Sequence, residues 1–85
     1  MAPMDLKAFR ESRGLSQQAT ATQLGLKSKS YLSMLETGAA AATFAVALRI
    51  EAWSEGQVPA VGLLRSADAD LLTAIIKRAA AVPAR

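Results

Sequence analysis

Cysteine and histidine are both absent from this 85-residue chain. Without cysteine there is neither a disulfide framework nor a thiolate metal site. Without histidine the commonest metal ligand and the commonest general base near neutral pH are missing. No apolar run approaches the roughly 20 residues that span a bilayer. The opening Met-Ala-Pro-Met-Asp-Leu-Lys has no basic stretch leading into an apolar one, so no secretory signal is visible. No phosphate-cradling loop and no nucleophile–base pair stand out. These absences set the expectation of a soluble, cytoplasmic protein with no enzymatic activity, no cofactor, no metal and no membrane partner. The chain begins on methionine and is read as complete, and its length is that of one domain.

What is present is an apolar half, 52% of residues, much of it alanine. Alanine fills space while burying little surface. The core is therefore expected from a short set of larger side chains: Leu6, Phe9, Leu15, Leu24, Leu26, Leu32, Leu35, Phe44, Leu48, Ile50, Trp53, Val58 and Val61. Ten Lys/Arg against seven Asp/Glu give a net charge of +3, compatible with a polyanionic partner without identifying one. The excess sits early, where Lys7, Arg10, Arg13, Lys27 and Lys29 face only Asp5 and Glu11.

The punctuation is that of short helices. Asp5 caps a helix over about 6–13, closed by Gly14. Ser16 caps a second through Leu24, which Gly25 ends, and Ser28 caps a third over about 29–36, which Gly38 closes. An alanine bridge, Ala39 to Ala42, leads to Thr43 and a fourth helix through about Trp53, with Phe44, Leu48 and Ala52 recurring on one side and Ala47 and Ile50 beside them. Gly56 stops it. Pro59 opens a short helical turn reaching Leu64. Ser66 or Asp68 caps a last helix over about 68–81, ended by Pro83. No period-two run appears, so the fold class is all-α.

The second and third helices are about two turns each and meet at Leu24-Gly25-Leu26-Lys27-Ser28. A tight glycine-containing connection of this kind lets two short helices cross steeply, with the second projecting from the surface. If Leu32 and Leu35 face inward, the outer face of the third helix shows Lys29, Ser30, Ser33 and Met34, with Tyr31 on one flank. Such slender side chains suit a helix entering a major groove about 12 Å wide, where Lys29 can donate to guanine and Met34 can touch a thymine methyl. The plainer readings are that the lysines are solvated surface charges and Met34 is core-edge filling.

At this point the sequence resembles the helix-turn-helix domain of the Cro and lambda-repressor-like (XRE) transcription regulators. The match runs through Arg10, Arg13-Gly14-Leu15-Ser16-Gln17, Ala21, Leu24-Gly25-Leu26, Ser30-Tyr31-Leu32-Ser33 and Leu35-Glu36-Thr37-Gly38. It continues in Ala47-Leu48-Arg49-Ile50-Glu51-Ala52 and Gly56-Gln57-Val58-Pro59. The resemblance implies a compact five-helix domain over 1–65 with an additional C-terminal helix in 66–85. It implies that Lys29, Ser30, Ser33 and Met34 read base edges. Gln17 and Gln18 at the start of the second helix, with Lys27, Ser28 and Tyr31, would contact the DNA backbone, and a helix N-terminus is itself an anion site. It also implies an Arg10–Glu36 salt bridge of structural role. Three departures stand out. Thr20 occupies a place where the family usually buries leucine, which points to loose packing. One extra residue between Gly25 and Ser33 moves Lys27 into the turn. Ala39–Ala42 offers no side chain for phosphate.

The function expected on this basis is sequence-specific regulation of transcription, by a dimer on a two-fold symmetric operator in double-stranded DNA. The alternative is a protein-interaction module, an adaptor, antirepressor or toxin partner, that keeps the fold without its DNA. In the last helix Leu71, Leu72, Ile75 and Ile76 form a stripe wide enough either to fold back over the bundle or to pair with a second chain. Asp68 and Asp70 lie at its start, where carboxylates favour the helix dipole.

Overall fold

Residues 4–81 are described by a computed structural model. Four side-chain oxygens start the first four helices. Asp5 accepts from the Ala8 N–H at 2.7 Å, Ser16 from Ala19 at 3.0 Å, Ser28 from Tyr31 at 3.1 Å and Thr43 from Val46 at 3.2 Å. Each takes up one of the donors a helix leaves unpaired in its first turn. The helices are α1 (Leu6–Ser12), α2 (Gln17–Leu24), α3 (Lys29–Thr37) and α4 (Phe44–Trp53). The short turn after Pro59 is a single 3-10 turn, Ala60–Gly62, and α5 runs Ser66–Ala81, starting two residues before its expected place. The described residues contain no strand, and none of their helices is long and apolar enough to cross a membrane. Pro83, expected to end α5, lies outside the described residues.

The core gathers Leu6 and Phe9, Ala21 and Leu24, Leu32 and Leu35, Ala47 and Ile50, then Val58, Ala60 and Leu64. The alanine bridge is part of it: Ala42 is buried, and its N–H donates to the Leu63 carbonyl at 2.9 Å. Leu15, Leu26, Phe44 and Trp53 are half-buried at the margin. Two expected core residues are not there. Leu48 is 47% exposed and Val61 37%. The rotation of α4 explains Leu48. Arg49 donates to the Leu24 carbonyl at 2.8 Å and the Trp53 indole N–H to Gln23 at 3.0 Å, which fixes α4 against α2 with Ala47 and Ile50 buried and the residue 48–52 side outward. The inward face of α4 is thus Ala47–Ile50, continued by the buried Ser54 just past its end, and not the Phe44–Leu48–Ala52 stripe.

Past α4 the chain turns through two left-handed residues, Glu55 (φ 56°) and Gly56 (φ 84°). Ser54 Oγ donates to the Glu51 carbonyl and accepts from the Val58 N–H, while a Glu51 carboxylate oxygen accepts from the Ala60 N–H. The Met4 N–H donates to the Gln57 carbonyl at 2.8 Å. This segment therefore ties Met4 and the 3-10 turn to the end of α4.

Candidate nucleic-acid interface

The geometry of the α2–α3 connection rests on Gly25. It sits at φ +67°, and the next N–H, of Leu26, donates to the Ala21 carbonyl at 2.9 Å. An L residue pays a steric cost of about 1–2 kcal/mol in this region. Here a methyl group would also lie 3.3 Å from Arg49 Nη1. Gly25→Ala is therefore expected to lower stability by about 1–2 kcal/mol in thermal or urea unfolding, and Gly25→Asn by less. Equal stability of the alanine variant and the parent would remove this account of the turn. Arg49 itself is a residue sequence reading does not single out. It holds the end of α2 from 25 positions away, a distance no local pattern reveals.

Lys27 lies in the turn, as the extra residue implies, and α3 begins at Lys29. Leu32 and Leu35 are buried, which sets the outer face. Ser30 is exposed at its centre and Met34 is 44% exposed one turn later, while Lys29 flanks them at the first helical position. Ser33 is only half-buried at the edge of this face. Thr37, which no sequence motif marks as a contact, is exposed and continues it. Tyr31 is half-buried, and the Lys27 ammonium stands over its ring, 5.1 Å from the centroid. That cation–π contact draws the charge of the turn towards the flank of α3. Ser28 is occupied as the N-cap of α3, though its hydroxyl remains at the surface. Gln18 is exposed on α2 with its amide 3.4 Å from Thr22 Oγ1.

Behind this face a network joins three helices. Arg10 donates to Glu36 through Nε at 2.6 Å and Nη2 at 3.3 Å, and through Nη1 to the Leu15 carbonyl at 2.8 Å. Gln17 Nε2 donates to the same Glu36 carboxylate at 3.0 Å. The Arg10 and Glu36 side chains are 11% and 2% exposed. The Arg10 pKa is raised, chiefly by the hydrogen bond to Glu36 and against the opposing effect of burial. The pair clamps the end of α3 to α1 and to the loop before α2. It also changes what Gln17 can offer, since one of its two amide hydrogens is committed to Glu36. The N–H groups of the first turn of α2 point out of the helix end beside it.

The charge pattern of the face is simple. Between Gly14 and Leu48 the charged residues are Lys27, Lys29 and Glu36, and Glu36 is the buried, paired one. The exposed surface of α2, α3 and the bridge therefore carries positive charge alone. No group of acidic residues that could hold a metal ion occurs among the described residues.

Compared with known proteins, the sequence matches a family described as helix-turn-helix over residues 6–52, more than half of the chain. No curated protein and no solved structure gives a significant match.

Proposed function

Because the chain belongs to the helix-turn-helix family of Cro- and lambda-repressor-like regulators, whose members bind DNA, we propose that it regulates transcription by reading a two-fold symmetric operator as a dimer. The observation that carries this reading is the face just described. It is a nine-residue helix with slender side chains outward, one lysine at its start and another in the turn before it, and no exposed carboxylate from Gly14 to Leu48. A duplex carries one negative charge per roughly 1.7 Å of axis, and nothing on this surface repels it.

In the proposed complex α3 lies in the major groove. Lys29, Ser30 and Met34 read base edges, with Ser33 at the margin. Lys27 over Tyr31, the Ser28 hydroxyl, the Gln18 amide, the remaining amide hydrogen of Gln17 and the first-turn N–H groups of α2 hold phosphates and set the register. Arg10 and Glu36 act only by holding α3 in place. Lys27, the one lysine assigned to the backbone, implies about two phosphate neutralisations per dimer, so log K against log salt should fall with a slope of about −2, and a slope nearer −4 would count Lys29 among the phosphate contacts.

The uncharged Ala39–Ala41 stretch favours the second reading, a protein-interaction module, because it offers phosphates no side chain. Selection from a random duplex pool, with Lys29→Ala in parallel, separates the two. A symmetric motif that loses its preference at one position in the variant supports base readout by Lys29. Uniform weakening on all sequences would make Lys29 a phosphate contact. No enrichment at any salt concentration would overturn the DNA reading in favour of a protein partner.

A further inference from the structure

We propose that α5 pairs antiparallel with α5 of a second copy, along a seam made by Asp68, Leu71, Ile75 and Arg78. The proposal rests on the dimer reading above and specifies its interface. These four residues recur at intervals of three, four and three, which places them on one helical stripe. The adjacent stripe, Ala69 and Leu72, is the one packed against the core. Leu71 and Ile75 are each 53% exposed, and Ile76 beside them is 56% exposed. The bundle thus covers α5 only near its start, through Ala69 and Leu72, while every residue from Thr73 to Ala80 is exposed and Leu71, Ile75 and Ile76 stay open.

The order of residues along the open stripe identifies the occupant and its direction. Reversed about residue 73, the stripe reads onto itself: Leu71 falls opposite the partner's Ile75, and Asp68 opposite the partner's Arg78. Two-fold symmetry then repeats both contacts. The ends are oppositely charged and the centre is apolar, so an antiparallel copy meets complementary groups throughout. A parallel copy would set Asp68 against Asp68 and Arg78 against Arg78. Asp68 is not saturated within its own chain. Its neighbour Arg65 is 3.5 Å away and 74% exposed, a weak surface pair. A helix of this length is about 24 Å long. The seam is therefore small beside the roughly 800 Å² per partner of a standard interface, and the isolated dimer should be weak.

The same charge placement also suits the dipole of a single helix, acid at its start and base at its end, so the test must separate the two effects. The full-length chain is examined by sedimentation over a range of concentrations, alone and with an operator duplex from the selection above. Asp68→Arg and Arg78→Asp should each weaken dimerisation by about tenfold, since each places like charges opposite twice per dimer. The double swap should return the dimer to near the parental affinity, although it is the worst arrangement for the helix dipole. Leu71→Asp, at an exposed position, should give a monomer with the parental circular dichroism. Progressive weakening without rescue in the double swap would overturn the proposal. A parental dimer indifferent to Leu71→Asp would place the interface elsewhere and leave the dimer reading standing. A parent that is monomeric both free and on the duplex would remove the dimer reading itself, and this seam with it.

Discussion

Replacing Arg10 by methionine is expected to cost about 3–5 kcal/mol of folding free energy, most of what a small domain has. Methionine keeps much of the aliphatic volume, so the loss falls on the polar contacts. Glu36, with its side chain 2% exposed, would lose two of its three N–H donors and retain only Gln17. The Leu15 carbonyl would lose its Nη1 donor as well. A carboxylate left in that position can neither hydrate fully nor pair. The chain should be substantially unfolded at room temperature or melt far below the parent, as urea or thermal unfolding would register. Combining Arg10→Met with Glu36→Leu should recover a large part of the loss, because the buried charge goes with its partner. A single variant less than about 1 kcal/mol below the parent would mean that the pair behaves as an exposed one does. Such a result would leave the position of α3 to its leucines alone.

Thr20→Val is expected to act in the opposite direction, raising stability by about 1–3 kcal/mol. Thr20 is completely buried, and its hydroxyl is the one buried side-chain polar atom without a hydrogen-bond partner among the described residues. Valine keeps the branched shape and removes the unmet desolvation cost. In a domain of this size each kcal/mol corresponds to about 4–8 °C in melting temperature, so a scan resolves the change. Thr20→Leu, which installs the residue the family usually buries here, is expected to lose stability through overpacking, since the site is closed around a threonine-sized side chain. A valine variant less stable than the parent would show that the hydroxyl has a partner in solution. The sequence expectation of loose packing at this place is not what the structure shows. The side chain is enclosed, and the defect is polar, not a void.

Much of the architecture was legible because it is written in contacts three or four residues long. An oxygen on Asp5, Ser16, Ser28 or Thr43 reaches the N–H three residues on whatever the rest of the chain does, and glycine at 25 and 38 accepts a left-handed backbone that other residues resist. Leu32 and Leu35 alone oriented α3, so Ser30 and Met34 could be placed outward before any fold was known. The Arg10–Glu36 pair, 26 residues apart, was accessible only through family resemblance. No spacing rule reaches that far.

The tertiary structure alone decided how each helix is turned about its own axis. The apolar pattern of α4 allows either its Phe44–Leu48–Ala52 side or its Ala47–Ile50 side to face inward. Arg49 on the Leu24 carbonyl and Trp53 on Gln23 select the second, which is why Leu48 is exposed. The same holds for Gln17, whose amide is drawn partly away from the surface by a carboxylate 19 residues later. On α5, it is the bundle that covers Ala69 and Leu72 and leaves Leu71 and Ile75 open. Hydrogen bonds that close within one helical turn are determined by sequence. The rotation and partners of a helix are set by groups that meet only once the chain has folded, and there the sequence by itself leaves more than one solution of similar apolar burial.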